Sequence, residues 1–451
     1  MKRLKIGFMS ISKASWLTPK IQKLADAARA SLDVLDADVV FHGVTSTEPE
    51  AIARAADFVE QGVDVVVLHF VTFPVGAIIP AVAQRLDVPF ILVSNPEEPG
   101  AGGIWEQNSF CGSNMAAHGM NRLRKKYTFM MTPAEKTGEA LREVVAVVQA
   151  MRALRALRIG QVGGRVPGFY TSNFDELQLR RDFGVAVEVI DLLEIVDTAK
   201  TLTPEEQERG AEVVAKSANA VNAVSDEELT LAAKMYAAFA KTAAKYQLNS
   251  LAVRCWPEWS DIFGIAPCAV LGMLTDTGFA TSCEGDVNGA VTMKLLASLA
   301  GPEALPFFVD LISFDEKDNT GVVWHCGAAA SGLCRKFEET QLRKHMRVDG
   351  GDKKGLTNDF PLKAGRVTVA KFDLDVDNRP RMLIAPGTAL DTEPFLRGNP
   401  LRIAFDGKVG NLISTIMERG FEHHYAVVHG NVAAEMLLFC RWMGIEPVMP
   451  E

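Results

Sequence analysis

No stretch of this chain approaches the roughly 18 consecutive apolar residues needed to span a bilayer, which excludes a transmembrane helix. The charged start Met1 to Gly7 imitates a signal peptide, but its apolar run breaks at Ser10 to Lys13, before an h-region is complete. A cytoplasmic protein that does not engage membrane is expected. Positive charge is also scarce. The 47 Lys and Arg against 56 Asp and Glu give a net charge of −9, and phosphate backbones require clustered cations, so nucleic acid is not an expected partner. The exception is a short run, Arg122-Leu123-Arg124-Lys125-Lys126. There is no Cys-x-x-Cys pair of the zinc type among the 7 cysteines, whose apolar settings predict buried reduced thiols. Neither Gly-x-Gly-x-x-Gly nor a P-loop is present. The cluster Gly160-Gln161-Val162-Gly163-Gly164 therefore predicts a tight turn with close backbone approach to a small ligand, not a nicotinamide-binding loop.

What is present is a soluble globular composition, 48% hydrophobic and 23% charged, over 451 residues, long enough for about three domains. Strand-like segments Leu4 to Met9, Asp38 to Phe41, Val63 to Leu68 and Pro89 to Val93 alternate with helical ones, Thr18 to Ala30, Glu48 to Glu60 and Val75 to Arg85. That alternation predicts a parallel sheet wrapped by helices. A Gly- and Pro-rich stretch, Asn95 to Gly103, ends it, and Pro133 to Leu157 reads as one long connecting helix. A second β-α unit opens at Leu157, continues through the helix Asp226 to Tyr246, and reaches the strand Leu251 to Arg254. Beyond residue 300 the texture becomes short strands with few helical segments, as in an antiparallel sheet or barrel. The fold class expected is α/β: two Rossmann-like parallel-sheet domains, 1–155 and 156–300, then a β-rich, barrel-like domain, 301–451.

Four positions in the last two-fifths of the chain suggest metal chemistry. They are Glu258 between Trp256 and Trp259, Glu284 in Cys283-Glu284-Gly285-Asp286, His325 in Trp324-His325-Cys326, and the pair His423-His424. Each lies beside apolar residues, where an unpaired charge is costly. Carboxylates with imidazoles suit a divalent ion such as Mn²⁺, and a carboxylate pair also moves protons. The residues alone leave choices open. Asp286 reads equally as the N-cap of a helix from Val287, and His423 and His424 point to opposite faces of a strand. Cys255, Cys283 and Cys326, each close to a candidate ligand, read as small apolar filling.

Together these segments resemble the L-fucose/L-arabinose isomerase superfamily over essentially the whole chain. Cys283-Glu284-Gly285-Asp286 is similar to the Gly-Glu-Gly-Asp of arabinose isomerases, and His423-His424 to their Ala-His-His-Thr. Ala117-His118-Gly119 and Leu68-His69-Phe70-Val71-Thr72-Phe73-Pro74 resemble two further family segments, although the stretch after His118 departs as Met120-Asn121-Arg122. The resemblance implies metal ligands Glu258, Glu284, His325 and His424, with Asp286 as an alternative ligand. It implies catalytic roles for Glu258 and Glu284, and substrate contacts from His118, Trp256, Arg122 and His69. The implied cofactor is Mn²⁺, with Co²⁺ or Mg²⁺ as alternatives. The implied assembly is a homo-oligomer, trimer-based or tetrameric, in which the His118 segment reaches a neighbouring subunit's active site. The expected reaction is aldose-ketose isomerisation of an open-chain sugar through a cis-enediol. The basic run beside His118 motivates an alternative, an anionic sugar such as a sulfosugar. A non-catalytic sugar-binding protein of the same fold is the other.

Overall fold

The computed structural model describes residues 3–97, 105–345 and 354–451, so part of the Gly- and Pro-rich stretch after the first sheet lies outside the described residues. The chain divides into two compact units, Met1–Gln149 and Ala150–Glu451.

In the first unit, β1 (Leu4–Ile11), β2 (Ala37–Thr45), β3 (Val65–Phe70), β4 (Phe90–Ser94) and β5 (Tyr127–Met131) form a sheet in the order β2-β1-β3-β4-β5. All of its pairings are parallel. The β-branched run Val65-Val66-Val67 is buried on both faces, as a central parallel strand requires. The helix Glu48–Gln61 shows how local chemistry sets an element. Thr47 and Glu50 form a capping box, Gly62 ends the helix at φ 64°, and Ala51, Ala55 and Phe58 lie one turn apart on the buried face. Phe58 packs over Gly7 of β1, where a Cβ would come within 2.9 Å of the ring. The expected long connector is broken: Thr137–Ala140 and Arg142–Arg155 are separate helices. Gly138 fits against the Ser31 carbonyl, where a Cβ would sit only 2.0 Å away.

The second unit contains a parallel sheet and a barrel. Strands β6 (Arg158–Val162), β7 (Ala186–Ile190), β9 (Ser250–Val253) and β10 (Ala280–Cys283) pair in parallel in the order β10-β9-β6-β7. The short β8 (Ala220–Asn222) joins β13 (Gln341–Lys344) and β14 (Leu356–Asp359) in a separate three-stranded sheet.

Strands β11 (Pro306–Asp315), β12 (Thr320–Trp324), β15 (Gly365–Leu374), β16 (Pro380–Ala389), β17 (Leu401–Phe405) and β18 (His424–His429) run antiparallel and close on themselves through β15–β16; β19 (Glu446–Val448) adds in parallel to β16. Closure removes the free edges that an open sheet would expose. Phe307, Val309, Val367, Val369, Leu383, Ala385, Leu401, Ile403, Tyr425 and Val427, mostly at alternate positions, fill the core. Two α-helices among the described residues interrupt the β-rich texture, Val409–Arg419 and Ala433–Met443.

The helix Val287–Ala300 joins sheet to barrel. It is apolar nearly all round and packs against β9 and β10 on one side and β11, β15 and β18 on the other. No helix among the described residues is long and apolar enough to cross a membrane.

His69, at the end of β3, is fully buried and stacked on Phe8. Its Nδ1 lies 3.3 Å from Ser10 Oγ and its Nε2 3.1 Å from Asn95 Oδ1. Burial pushes its pKa down to about 4, against the hydrogen bond that Nε2 donates to Asn95 Oδ1, which raises it. A histidine with a depressed folded pKa contributes stability that is present above its ordinary value near 6.5 and lost as pH falls through about 4. Urea unfolding of wild type should therefore lose on the order of 3 kcal/mol more than His69→Gln between pH 7 and pH 4. Equal pH slopes in the two proteins would refute this.

Candidate active site

Glu284, Asp286, His423 and His424 gather where the carboxyl edge of the β10-β9-β6-β7 sheet meets the outer face of the barrel. Ligands of open α/β sheets commonly bind at that edge. Strand β10 ends at Cys283, and Glu284 follows in a left-handed conformation, φ 59°. This costs a non-glycine residue energy and is a known mark of functional turns. Gly285, φ 73°, lets the turn press on the one after β6: a Cβ there would come within 2.2 Å of the Gly164 carbonyl oxygen. The Gly160–Gly164 cluster thus packs against the Glu284 turn of the chain itself, where approach to a small ligand is expected from the sequence, and Gln161 reinforces the contact by donating to Gly285 O at 3.2 Å.

From the barrel, β18 presents His424 on the side opposite Tyr425 and Val427, which fill the core. Asp310 of β11 lies directly across from His424 in register, and Phe308 packs on the His424 ring at 4.7 Å. His424 Nε2 lies 2.7 Å from Glu284 Oε2, and Nδ1 lies 3.1 Å from Asp286 Oδ2. Asp286 has two tasks. Its Oδ1 caps the helix by accepting from Gly289 N at 2.8 Å, while Oδ2 also accepts from the Lys371 ammonium at 2.9 Å. Lys371 is fully buried and makes a second ion pair with Glu422 at 2.6 Å.

Burial alone would raise the Glu284 carboxyl, but the hydrogen bond and charge of His424, aided by His325 and Trp256, bring it down to about 2. Burial likewise opposes charge on His424, yet its bonds to Asp286 and Glu284 lift it to about 10. Asp286 is held well below the usual carboxylate range by Lys371 and His424 against its own burial. Asp310 is pushed up by burial, and its Oδ1 has no hydrogen-bond partner among the described residues, with His424 Nε2 3.9 Å away.

An aromatic wall completes the cleft. Trp256 Nε1 donates to Glu284 Oε1 at 3.3 Å, and the Phe169 ring stands edge-on to Trp256 and to His423, each at 5.7 Å. His325 is buried against Phe308, centroids 5.5 Å apart, near Glu284 and Asp310. Glu258 stands on the Trp256 loop, but its Oε1 pairs with Arg254 at 3.2 Å, and its buried Oε2 has no hydrogen-bond partner among the described residues. The exposed His423 offers a nitrogen close to those of Glu284 and His424, with all three ligand atoms within 4.8 Å of one another.

This donor set fits a hard or borderline divalent cation. It offers carboxylate oxygens and imidazole nitrogens, two of the buried oxygens lack hydrogen-bond partners among the described residues, and the His424 Nδ1 is oriented by a carboxylate in the way metal-bound histidines are. Lys371, Glu422, Asp310 and Phe169 were not anticipated. The first and third carry a legible signal, a charge inside an apolar strand: Val369-Ala370-Lys371-Phe372 and Phe308-Val309-Asp310-Leu311.

His69, His118 and Arg122 belong to the first unit. His69 is closed in, with both ring nitrogens already in hydrogen-bond contact, so within its own unit it supports a strand end and offers no free donor. His118 and Arg122 are exposed and four residues apart on the helix Ser109–Arg122; with Asn114, Asn121 and Tyr127 they line a cavity of about 300 Å³.

Lys371→Met would leave Asp286 and Glu422 buried without their cation. A loss of about 3–5 kcal/mol is expected, measurable by urea unfolding at pH 7; a loss under 1 kcal/mol would show the network to be dispensable for stability.

Comparison with known proteins agrees with this architecture. The sequence model of the fucose/sulfoquinovose isomerase N-terminal domain matches residues 7–158. A sulfoquinovose isomerase from Alkalicoccus urumqiensis is 31% identical over 392 residues, covering 86% of this chain and 87% of that protein. One from Priestia megaterium is 31% identical over 386 residues, 85% of each chain, and one from Clostridium sp. (strain MSTE9) is 28% identical over 385 residues, 84% and 85%. Such identity, sustained through both units, establishes that the chain belongs to the fucose/sulfoquinovose isomerase family and is an enzyme of the aldose-ketose isomerase class.

Proposed function

We propose that this enzyme interconverts a 6-sulfo-aldose, sulfoquinovose, with the corresponding 2-ketose. The observation that carries this reading is the match to sulfoquinovose isomerases over 84–86% of the chain. It favours the anionic sugar over a neutral aldose as substrate.

The reaction moves a proton from C2 to C1 and another between O2 and O1. A carboxylate kept ionised, as Glu284 is, can accept a proton in the transition state, and Glu258, with one buried oxygen unpartnered among the described residues, is the second proton carrier of the proposal. Lys371 fixes Asp286, Asp286 fixes the His424 ring, and His424 fixes Glu284, so the base is oriented before substrate arrives. Trp256 and Phe169 would exclude water and stack on the sugar's apolar face. Glu258, Glu284, His325 and His424 would hold a divalent ion, Mn²⁺ by preference, with His423 or Asp286 as alternatives. When bound, such an ion supplies electrostatic stabilisation of the negative charge that develops on the sugar oxygens. In a homo-oligomer the His118–Arg122 face would meet the substrate of a neighbouring copy, with Arg122 on the sulfonate.

Purified enzyme with Mn²⁺ is expected to form ketose from sulfoquinovose faster than from glucose, L-fucose or L-arabinose, as followed by ¹H NMR. Glu284→Gln should abolish turnover, and chelation should suppress it until Mn²⁺, Co²⁺ or Mg²⁺ is restored. A neutral sugar turned over faster than sulfoquinovose would overturn the substrate; full activity after chelation would overturn the metal. Arg122→Ala should raise KM for sulfoquinovose roughly 10- to 100-fold, the loss of one charge-assisted contact, and leave kcat nearly unchanged. An unaltered KM would exclude Arg122 as the sulfonate contact.

A further inference from the structure

Behind the candidate active site the same chain segments converge a second time. Cys255 precedes Trp256, Cys283 precedes Glu284 and Cys326 follows His325, so each of three site residues has a cysteine as its immediate chain neighbour. The three cysteines meet Cys268, at the start of the helix Cys268–Asp276, near His345, just past β13; Cys326 Sγ also lies 3.8 Å from His325 Nδ1. All five are buried: Cys255 2%, Cys268 0%, Cys283 0%, Cys326 6% and His345 7% exposed.

Cys268 Sγ lies 3.7 Å from Cys326 Sγ and 3.3 Å from His345 Nε2, and the three ligand atoms fall within 4.8 Å of one another. A tetrahedral zinc ion with Zn–S bonds of about 2.3 Å holds its sulfurs about 3.8 Å apart. Cys255 and Cys283 are also in hydrogen-bond contact with Cys268, so further thiols are at hand. Those contacts draw the Cys268 thiol well below the ordinary thiol range, with His345 adding to the effect. Small apolar filling accounts for buried cysteines, but it does not call for a buried imidazole aimed at a thiol.

We propose that Cys268, Cys326 and His345 provide three ligands of a structural site for a zinc-type divalent ion, distinct from the oxygen- and nitrogen-rich active site, with Cys255 and Cys283 the nearest thiols for the fourth position. Soft thiolate ligands select such an ion, whereas the Glu284 site favours harder cations, so one chain can sort two metals. The ion would fasten the Trp256, Glu284 and His325 segments from behind. Its binding releases the thiol protons to solvent and couples metal to folding.

Full-length protein, stripped by a strong chelator and titrated with Co²⁺ alone, provides the test. A thiolate-to-cobalt charge-transfer band in the near ultraviolet, saturating at one ion per chain and retained in Glu284→Gln, is expected. Cys268→Ser and His345→Gln should each weaken or abolish it; His345→Gln keeps every thiol and serves if the serine variant does not fold. Wild-type protein that stays folded and binds Co²⁺ without a thiolate band overturns the proposal. So does a band unchanged in folded Cys268→Ser or His345→Gln, or one lost in Glu284→Gln. A Cys268–Cys326 disulfide in protein purified without reductant, with no zinc in its metal content, also counts against it. None of these readouts depends on isomerase activity, so they stand apart from the choice of substrate.

Discussion

The candidate active site depends on one buried cation. Lys371, with no exposed surface, stands between Asp286 and Glu422, and through Asp286 it sets the charge state of everything further along the chain of contacts. Its burial is expensive in isolation, and only paired carboxylates repay the lost hydration. Asp286 could not stay ionised without it, and an uncharged Asp286 would hold the His424 ring less firmly. Glu422, drawn up to about 7 by burial and by the neighbouring Asp286, against the pull of Lys371, shows how finely the charges balance. The network has the low dielectric of a core and the polarity of an active site, the setting in which hydrogen bonds are strongest and unpaired groups most costly.

Two scaffolds share the work of positioning. The parallel sheet delivers Glu284 and Trp256 on turns beyond its strands, where the backbone can adopt conformations that strands forbid. The barrel delivers Asp310 and Phe308 from within β11 and His424 from the first residue of β18, and Asp310 alone of the three is paired on both sides, with His424 and Trp324.

Much of this was legible in the sequence because it follows from local periodicity. The β-branched strand Val65-Val66-Val67, the alternating β-α texture and the short strands after residue 300 each announce their class, and Glu284 and His424 stand out as polar residues in apolar surroundings. What escaped was set by tertiary contact. Strand β5 follows a basic run that masks it, the connector breaks at Leu141 between two helices, and the helix Val409–Arg419 starts without a side-chain cap. Lys371 and Asp310 each carried a signal, a charge within an apolar strand, but their partners lie 85 and 114 residues away, at Asp286 and His424, beyond any pattern rule. The cysteines beside the site read as filler because only the fold brings Cys268 and His345, 77 residues apart, to the same point.

The contact between Glu284 and His424 joins residues 140 positions apart. During synthesis on the ribosome, Asp286 and the Glu284 turn emerge well before Lys371, and Lys371 well before His424. For that interval the acidic half of the site has no counter-charge. The Glu284–His424 contact can close only after β18 has been made, so the acidic turn and the helix Val287–Ala300 wait on a later segment for their partners.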